Sequence, residues 1–323
     1  MPVNADKIHL WKEDVARSVD HYNAWFLEFA PKAYRQTRQH TTQLVEAALV
    51  ATSDLRDISP AVLRESPKVL QMLRMSTAPP IARDRLIGLA GVPSNLVFSM
   101  EENGTLPARM SPQQAEQSLE AIGRMIGRLA DKDIFTWLDE NKKATANERY
   151  RAATIVADRL CGAVANPIIR NAQEARQLAE IKQWLESRKY RQIADGDRVT
   201  AEEMPAGSFC FRLNVPVHHS SHREAKRHVN IPIDAAVKPH KAKRGDMPLL
   251  IEAKSAGDFT NTNKRRKEEA QKIGQLRKTY GPDVRFILFL CGYFDSGYLG
   301  YEAAEGIDWV WEHRIDDLAK FGL

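Results

Sequence analysis

Asp234, Glu252 and Lys254 are the side chains whose types and spacing point most directly to chemistry. Glu252 and Lys254 stand at i and i+2 in an apolar run, Leu249-Leu-Ile-Glu-Ala-Lys254, a spacing that puts both on one face of an extended strand. Asp234 ends a second apolar run, Asn230-Ile-Pro-Ile-Asp234, eighteen positions before Glu252. If the two runs are neighbouring strands, both carboxylates can share one divalent cation. Magnesium takes oxygen ligands, usually one or two carboxylates, and leaves its other positions to water and phosphate. Asp234 and Glu252 suit that duty, with the Ala253 carbonyl as a third ligand. The Lys254 ammonium can orient an attacking water and stabilise charge developing around phosphorus. The chemistry predicted is Mg²⁺-assisted hydrolysis of a phosphodiester. The competing reading is a salt bridge on a sheet face, from Lys254 to either acid.

Such residues need a sheet, and the second half of the chain has the pattern for one. Phe209, Phe211, Leu213, Val215 and Val217 alternate with other residues as a strand does, and Pro216 places that strand at an edge or near its end. Two site strands follow, over 229–236 and 249–254. A polar and basic helix is expected over 264–280, with Ile273 and Leu276 facing in. A fourth strand is expected over 285–291, a fifth from Ile307, and a closing helix over 316–321. The order predicts an α/β (α+β) layer with a central mixed sheet flanked by helices. Before the sheet, Asn166-Pro167 reads as the start of a helix running to about Lys189. Its stripe holds Glu174, Leu178, Ile181 and Leu185. An ionised acid is costly to bury unpaired, so Glu174 either pairs with Arg170 or Arg176 or joins a site.

The first 160 residues read as helices. Trp11, Val15, Val19, Tyr22 and Phe26 recur at spacings of three and four. Pro31 reads as the opening of a further segment. Ser59-Pro60 and Ser111-Pro112 have the form of an N-cap followed by proline in the first turn, and Leu119, Ile122, Met125, Ile126 and Leu129 form the stripe of the second of these helices. The aromatic residues of the first helix read as core packing. The division expected is a mainly helical region over 1–160 and a catalytic region over 161–323.

A net charge of +5 and a pI near 9.0 are mildly basic and say little by themselves. The excess is local. Between Lys238 and Lys278 there are twelve Lys or Arg against five Asp or Glu, a net +7 that leaves −2 for the rest. A basic stretch beside a metal site suits a phosphate-tracking surface. Within it Ser255, Thr260, Asn261, Asn263, Lys264, Arg265 and Arg266 can contact phosphates or base edges, although the run from Lys264 reads equally as a solvated helix start. His219 and His222 lie in a histidine-rich loop between two site strands. Their spacing matches no familiar zinc set, and contact with substrate is the expectation. The cysteines, Cys161, Cys210 and Cys291, are odd in number and form no CxxC pair, so reduced buried thiols in a cytoplasmic protein are expected. The N-terminus lacks the apolar run of a secretory signal, and the longest apolar run is far short of a membrane span.

Asp234 with Glu252-Ala-Lys254 resembles the PD-(D/E)xK nuclease motif, its proline displaced to Pro232. The run from Ile251 to Ala270, with Leu10-Trp-Lys-Glu-Asp-Val near the start, resembles type II restriction endonucleases of the XamI family. That resemblance implies a PD-(D/E)xK core and cleavage of double-stranded DNA at a short palindrome, with GTCGAC the associated sequence. It also implies a helix-borne glutamate joining the site, Glu174 first and Glu180 second, and a cognate methyltransferase. A palindromic target implies a homodimer, by matching two-fold symmetry. Two rivals stay open: a repair or junction-resolving nuclease on the same core, and a non-catalytic DNA-binding regulator.

Overall fold

The computed structural model describes residues 2–140, 142–194, 199–218, 228–260 and 262–323, with the backbone alone at 228 and 262–266. Helix α1 (Ile8–Ala51) is followed by the short helices α2 (Pro60–Glu65), α3 (Val69–Met75), α4 (Arg83–Ala90) and α5 (Ser94–Phe98), then α6 (Pro112–Leu129) and α7 (Ala146–Ser187). The sheet then begins. Its strands are β1 (Arg191–Gln192), β2 (Ser208–His218), β3 (His228–Lys238), β4 (Leu249–Ala256), β5 (Phe286–Gly292) and β6 (Asp308–Trp311). Helix α8 (Thr262–Tyr280) joins β4 to β5, and α9 (Ser296–Ala304) joins β5 to β6. The six strands lie in sequence order. β2–β3 and β3–β4 are antiparallel, while β1–β2, β4–β5 and β5–β6 are parallel. The expected mixed sheet is therefore present, with one more short strand than the sequence pattern showed.

Contacts divide the chain into two units, Met1–Phe29 with Arg170–Leu323, and Ala30–Ile169. The sheet unit thus takes in the first 29 residues, which the expected boundary at 160 left out. Polar contacts tie them in. Ser18 Oγ accepts from the Gly292 N–H at 2.8 Å, and Asp14 pairs with Arg314 at 2.7 Å. Trp11 meets Trp309 edge-on at 5.6 Å. Trp11 and Tyr22 are buried as expected, but Phe26 is exposed. Two proline expectations fail. Pro31 lies inside α1 and Pro167 inside α7, so neither opens a helix. An interior proline forfeits one helical hydrogen bond, and in these long helices the remaining turns carry it. Ser111 does cap α6, its Oγ accepting from the Gln114 N–H at 3.2 Å.

The helical unit has its own core, in which Leu49, Leu63, Leu70, Leu119, Ile122, Trp137 and Val156 are buried. Helix α7 is long and apolar enough to cross a membrane by composition. It is instead a core helix, burying Val156 in the helical unit and Leu178, Ile181 and Leu185 against the sheet.

The sheet is covered on both faces. Helix α7 packs on Phe209, Ala235, Val237, Ile251 and Phe289. Helix α8 supplies Ile273 and Leu276 to the other face, against Leu213, Val215, Ile231, Ile233, Ala236 and Leu288. One detail positions the site. Along β2 the odd-numbered residues from Phe209 to Val217 are all apolar, yet Phe209 belongs to the α7 face and Leu213 to the α8 face. The same change separates Ala235 from Ile233. Both strands switch faces together, at Arg212 and Asp234.

Candidate active site

The β3–β4 ladder pairs Val237↔Leu249, Ala236↔Leu250 and Ala235↔Ile251. Asp234 is the next residue on β3. Its Oδ2 accepts the Ala253 N–H at 2.8 Å, so a side chain takes the donor that a further rung would have used. In an extended strand the N–H and C=O of one residue point the same way. The Ala253 carbonyl therefore also faces β3, beyond the last rung. The sheet opens here, and Asp234, Ala253 and Glu252 are brought to the opening.

Glu252 and Lys254 share the α8 face of β4, as their spacing predicted. Lys254 Nζ donates to Glu252 Oε1 at 2.9 Å. Helix α8 adds two residues that the sequence reading passed over. Lys272 Nζ donates to the same Glu252 Oε1 at 2.5 Å, and Glu269 lies 3.3 Å from Lys254 Nζ. The cluster thus gathers three acids, Asp234, Glu252 and Glu269, around two ammonium groups, Lys254 and Lys272. Glu252 and Glu269 are buried. The salt-bridge reading of Lys254 is realised within it, and does not compete with chemistry, since an ammonium must be held near the carboxylates for either purpose.

The electrostatics of the cluster follow from burial and from its like and opposite charges. Burial first, and the Glu252 charge second, push the Asp234 carboxyl up to about 6. Burial works to lower the Lys254 pKa, but the Glu252 and Glu269 carboxylates hold it above the ordinary lysine value. Burial raises Glu269. Glu252 Oε2 is buried with no hydrogen-bond partner. An aspartate whose ionisation the neighbouring Glu252 opposes, beside an orphaned buried Glu252 oxygen, fits a hard divalent cation bound through oxygen.

The other candidates fall into three groups. Glu174 pairs with Arg212, at 3.3 Å, and not with Arg170 or Arg176 as the sequence suggested. Ser255 lies on β4 just past Lys254 and is half-buried. Thr260 is exposed, its N–H donating to Asp258 Oδ1 at 2.8 Å and its hydroxyl engaged by the same oxygen. Asn263, Lys264, Arg265 and Arg266 lie in the first turn and a half of α8, where only the backbone is described. Asn261, His219 and His222 lie outside the described residues. Not all of the basic stretch faces outward. Lys238 is buried, its ammonium held by the carbonyls of Asp246 and Glu202, and Lys254 and Lys272 are turned onto the acids.

Among the described residues one other cluster has metal-ligand types: His21, Glu180 and Glu312, with ligand atoms within 4.8 Å of one another. The Arg176 guanidinium pairs with Glu312 there and lies 3.6 Å from Glu180. Its positive charge already does what a cation would do, so this is a compensated polar network. Glu180 belongs to it.

The three cysteines are buried, and none is in a disulfide. Burial and the neighbouring Glu312 raise the Cys291 thiol, and Arg176 donates to its Sγ at 3.5 Å.

Comparison with known proteins gives the family. No solved structure matches the chain. A family model described as XamI restriction endonuclease matches residues 53–311. The type II restriction enzyme SalI of Streptomyces albus G is 52% identical over 320 residues, covering 99% of both chains. The chain therefore belongs to the XamI family of restriction endonucleases and is a type II, site-specific deoxyribonuclease.

Proposed function

We propose that this enzyme cuts both strands of duplex DNA at GTCGAC, using Mg²⁺ held by Asp234, Glu252 and the Ala253 carbonyl. The observation that carries the site assignment is the hydrogen bond from the Ala253 N–H to Asp234, which brings the two acidic strands together at the opened end of their ladder. When bound, the cation would lower the pKa of a water and neutralise phosphate charge. The chain's own residues do the rest. Asp234 and Glu252 present oxygens. Lys254, steadied by Glu252 and Glu269, orients the water and faces the charge that develops on the phosphate. Glu174 acts at the edge of the site through Arg212.

The hexamer is proposed from the 52% identity to SalI together with the family resemblance. A palindrome has two-fold symmetry, and a C₂ dimer presents one site to each strand. The helical unit, Ala30–Ile169, is the candidate for base reading or for the dimer contact. Residues Ser255, Thr260, Asn261, Asn263, Lys264, Arg265 and Arg266, with His219 and His222, remain the candidate DNA contacts from the sheet unit. A partner methyltransferase would protect host DNA. Buried thiols outside any disulfide suit the reducing cytoplasm.

The test is digestion of a sequenced plasmid with Mg²⁺, with the cut ends mapped, for wild type, Glu252→Ala and Lys254→Ala. Discrete wild-type fragments ending within GTCGAC, and none from either variant, are expected. Cuts at a different sequence would refute the hexamer alone. Cleavage by the variants at the wild-type rate would refute the site. Sedimentation of the protein with and without duplex tests the dimer.

A further inference from the structure

The ladder between β2 and β3 is paired from Ser208↔Lys238 to His218↔His228 except at one rung. Between Phe211↔Ala235 and Leu213↔Ile233, Arg212 stands opposite Asp234. Arg212 has φ of 54°. Among the described residues it is the one non-glycine with positive φ inside a strand, since Ser53, Asp54, Leu55 and Lys189 lie in turns. An L residue pays for this conformation and glycine does not.

Packing does not explain why arginine is kept here. The Arg212 side chain is 75% exposed, and its ion pair with Glu174, at 3.3 Å, is to a side chain itself 42% exposed. Exposed pairs of this kind contribute little to stability. Strain retained without a packing return is characteristic of functional positions. The position itself is specific, because Arg212 marks the point where β2 changes faces and lies across from the acid assigned to the metal. Arginine's planar fork suits a phosphate better than any other side chain.

We propose that Arg212 is a phosphate-binding residue of the cleavage site. Its left-handed backbone aims the guanidinium at a non-bridging oxygen of the strand held beside Asp234. Glu174 holds the guanidinium in place in the free enzyme, and the incoming phosphate takes over that contact. This rests on the assignment of Asp234, Glu252 and Lys254 as the catalytic group.

The test compares wild type, Arg212→Gly, Arg212→Lys and Lys254→Ala. It measures thermal melting, cleavage kinetics with Mg²⁺, and the salt dependence of binding, without divalent metal, to a duplex built on the mapped cut site. Arg212→Gly should melt no lower than wild type, because glycine accepts the backbone angle, while its kcat/KM falls about 100-fold. Its slope of log affinity against log salt should shrink by about one, the loss of one phosphate contact. Arg212→Lys should recover part of the salt slope and of the rate without melting above wild type. Cleavage by Arg212→Gly near the wild-type rate with an unchanged slope overturns the proposal. So does a lowered melting temperature that accounts for the lost activity. Lys254→Ala separates the two failures. It retains activity only if the catalytic assignment itself is wrong.

Discussion

Glu269 stands 3.3 Å from the Lys254 ammonium and reaches it from helix α8, across from the strand that carries the lysine. Lys254 therefore has a carboxylate on its own strand, Glu252, and another from the helix. Two anchors restrict an ammonium more than one does, and a water-orienting group gains from restriction. Replacing Glu269 by Gln keeps its shape and removes the charge. Cleavage by Glu269→Gln should drop on the order of 10–100-fold in kcat with KM nearly unchanged, the pattern of an interaction made in the transition state. Because burial already disfavours the charged form of Glu269, the variant should melt no lower than wild type. Steady-state kinetics and a melting curve decide the matter. A change confined to KM would contradict the positioning role.

Lys272 shares an oxygen of Glu252 with Lys254, and its positive charge lies where a cation is expected. Like charges compete for one carboxylate. Lys272→Met should therefore bind Mg²⁺ several-fold more tightly, read as a lower half-saturating concentration in calorimetry. A weaker Mg²⁺ affinity would show that Lys272 assists the metal by orienting Glu252.

Asp234 carries the pH dependence. Its pKa is about 6 in the metal-free fold, against an ordinary value of 3.8, so the folded chain holds the proton more tightly than the unfolded chain. The stabilisation from that proton is complete below the unfolded value and is lost as pH rises through about 6. A metal must displace the proton, so Mg²⁺ should raise the melting temperature well above pH 6 and much less below it. Asp234→Asn mimics the protonated acid and can still accept from Ala253. At pH 8, without metal, it should melt about 2–5 °C above wild type, show no Mg²⁺-induced shift and cleave no DNA. Equal Mg²⁺-induced shifts in variant and wild type would remove Asp234 from the metal site.

The helical unit holds a buried ionic knot. Glu101 is buried and pairs with Arg74 at 2.5 Å and Arg83 at 2.7 Å, and Arg74 is itself buried. Removing one partner of such a pair leaves an uncompensated charge. Glu101→Ala should cost about 3 kcal/mol, seen as a lower denaturant midpoint, whereas Glu102→Ala, at the exposed end of Arg83, should cost little.

How much of this could be read beforehand depended on the range of the interactions involved. Asp234, Glu252 and Lys254 stood out because apolar runs surround them and one short spacing fixes their face. Glu269 carries a readable signal: it precedes Ile273 by four positions and Leu276 by seven, so it shares their buried stripe. Lys272, by contrast, looks like any other cation in a basic helix, and only the approach of α8 to β4 turns it onto Glu252. Arg212 was hidden by its neighbours. The odd-numbered apolar residues of β2 run unbroken from Phe209 to Val217, so nothing in the pattern reveals that the strand changes faces midway. Pro31 and Pro167 misled for the opposite reason, a strong local signal overridden by long helices.

The amide of Ala253 donates its hydrogen to a carboxylate that gains and loses a proton, whereas its strand neighbours on the β3 side donate within the sheet. That single hydrogen is thus a built-in reporter. Its exchange with deuterium is tied to the ionisation of Asp234, and through it to whatever ion settles on the carboxylates, so that one backbone resonance can follow the arming of the nuclease without any DNA being present.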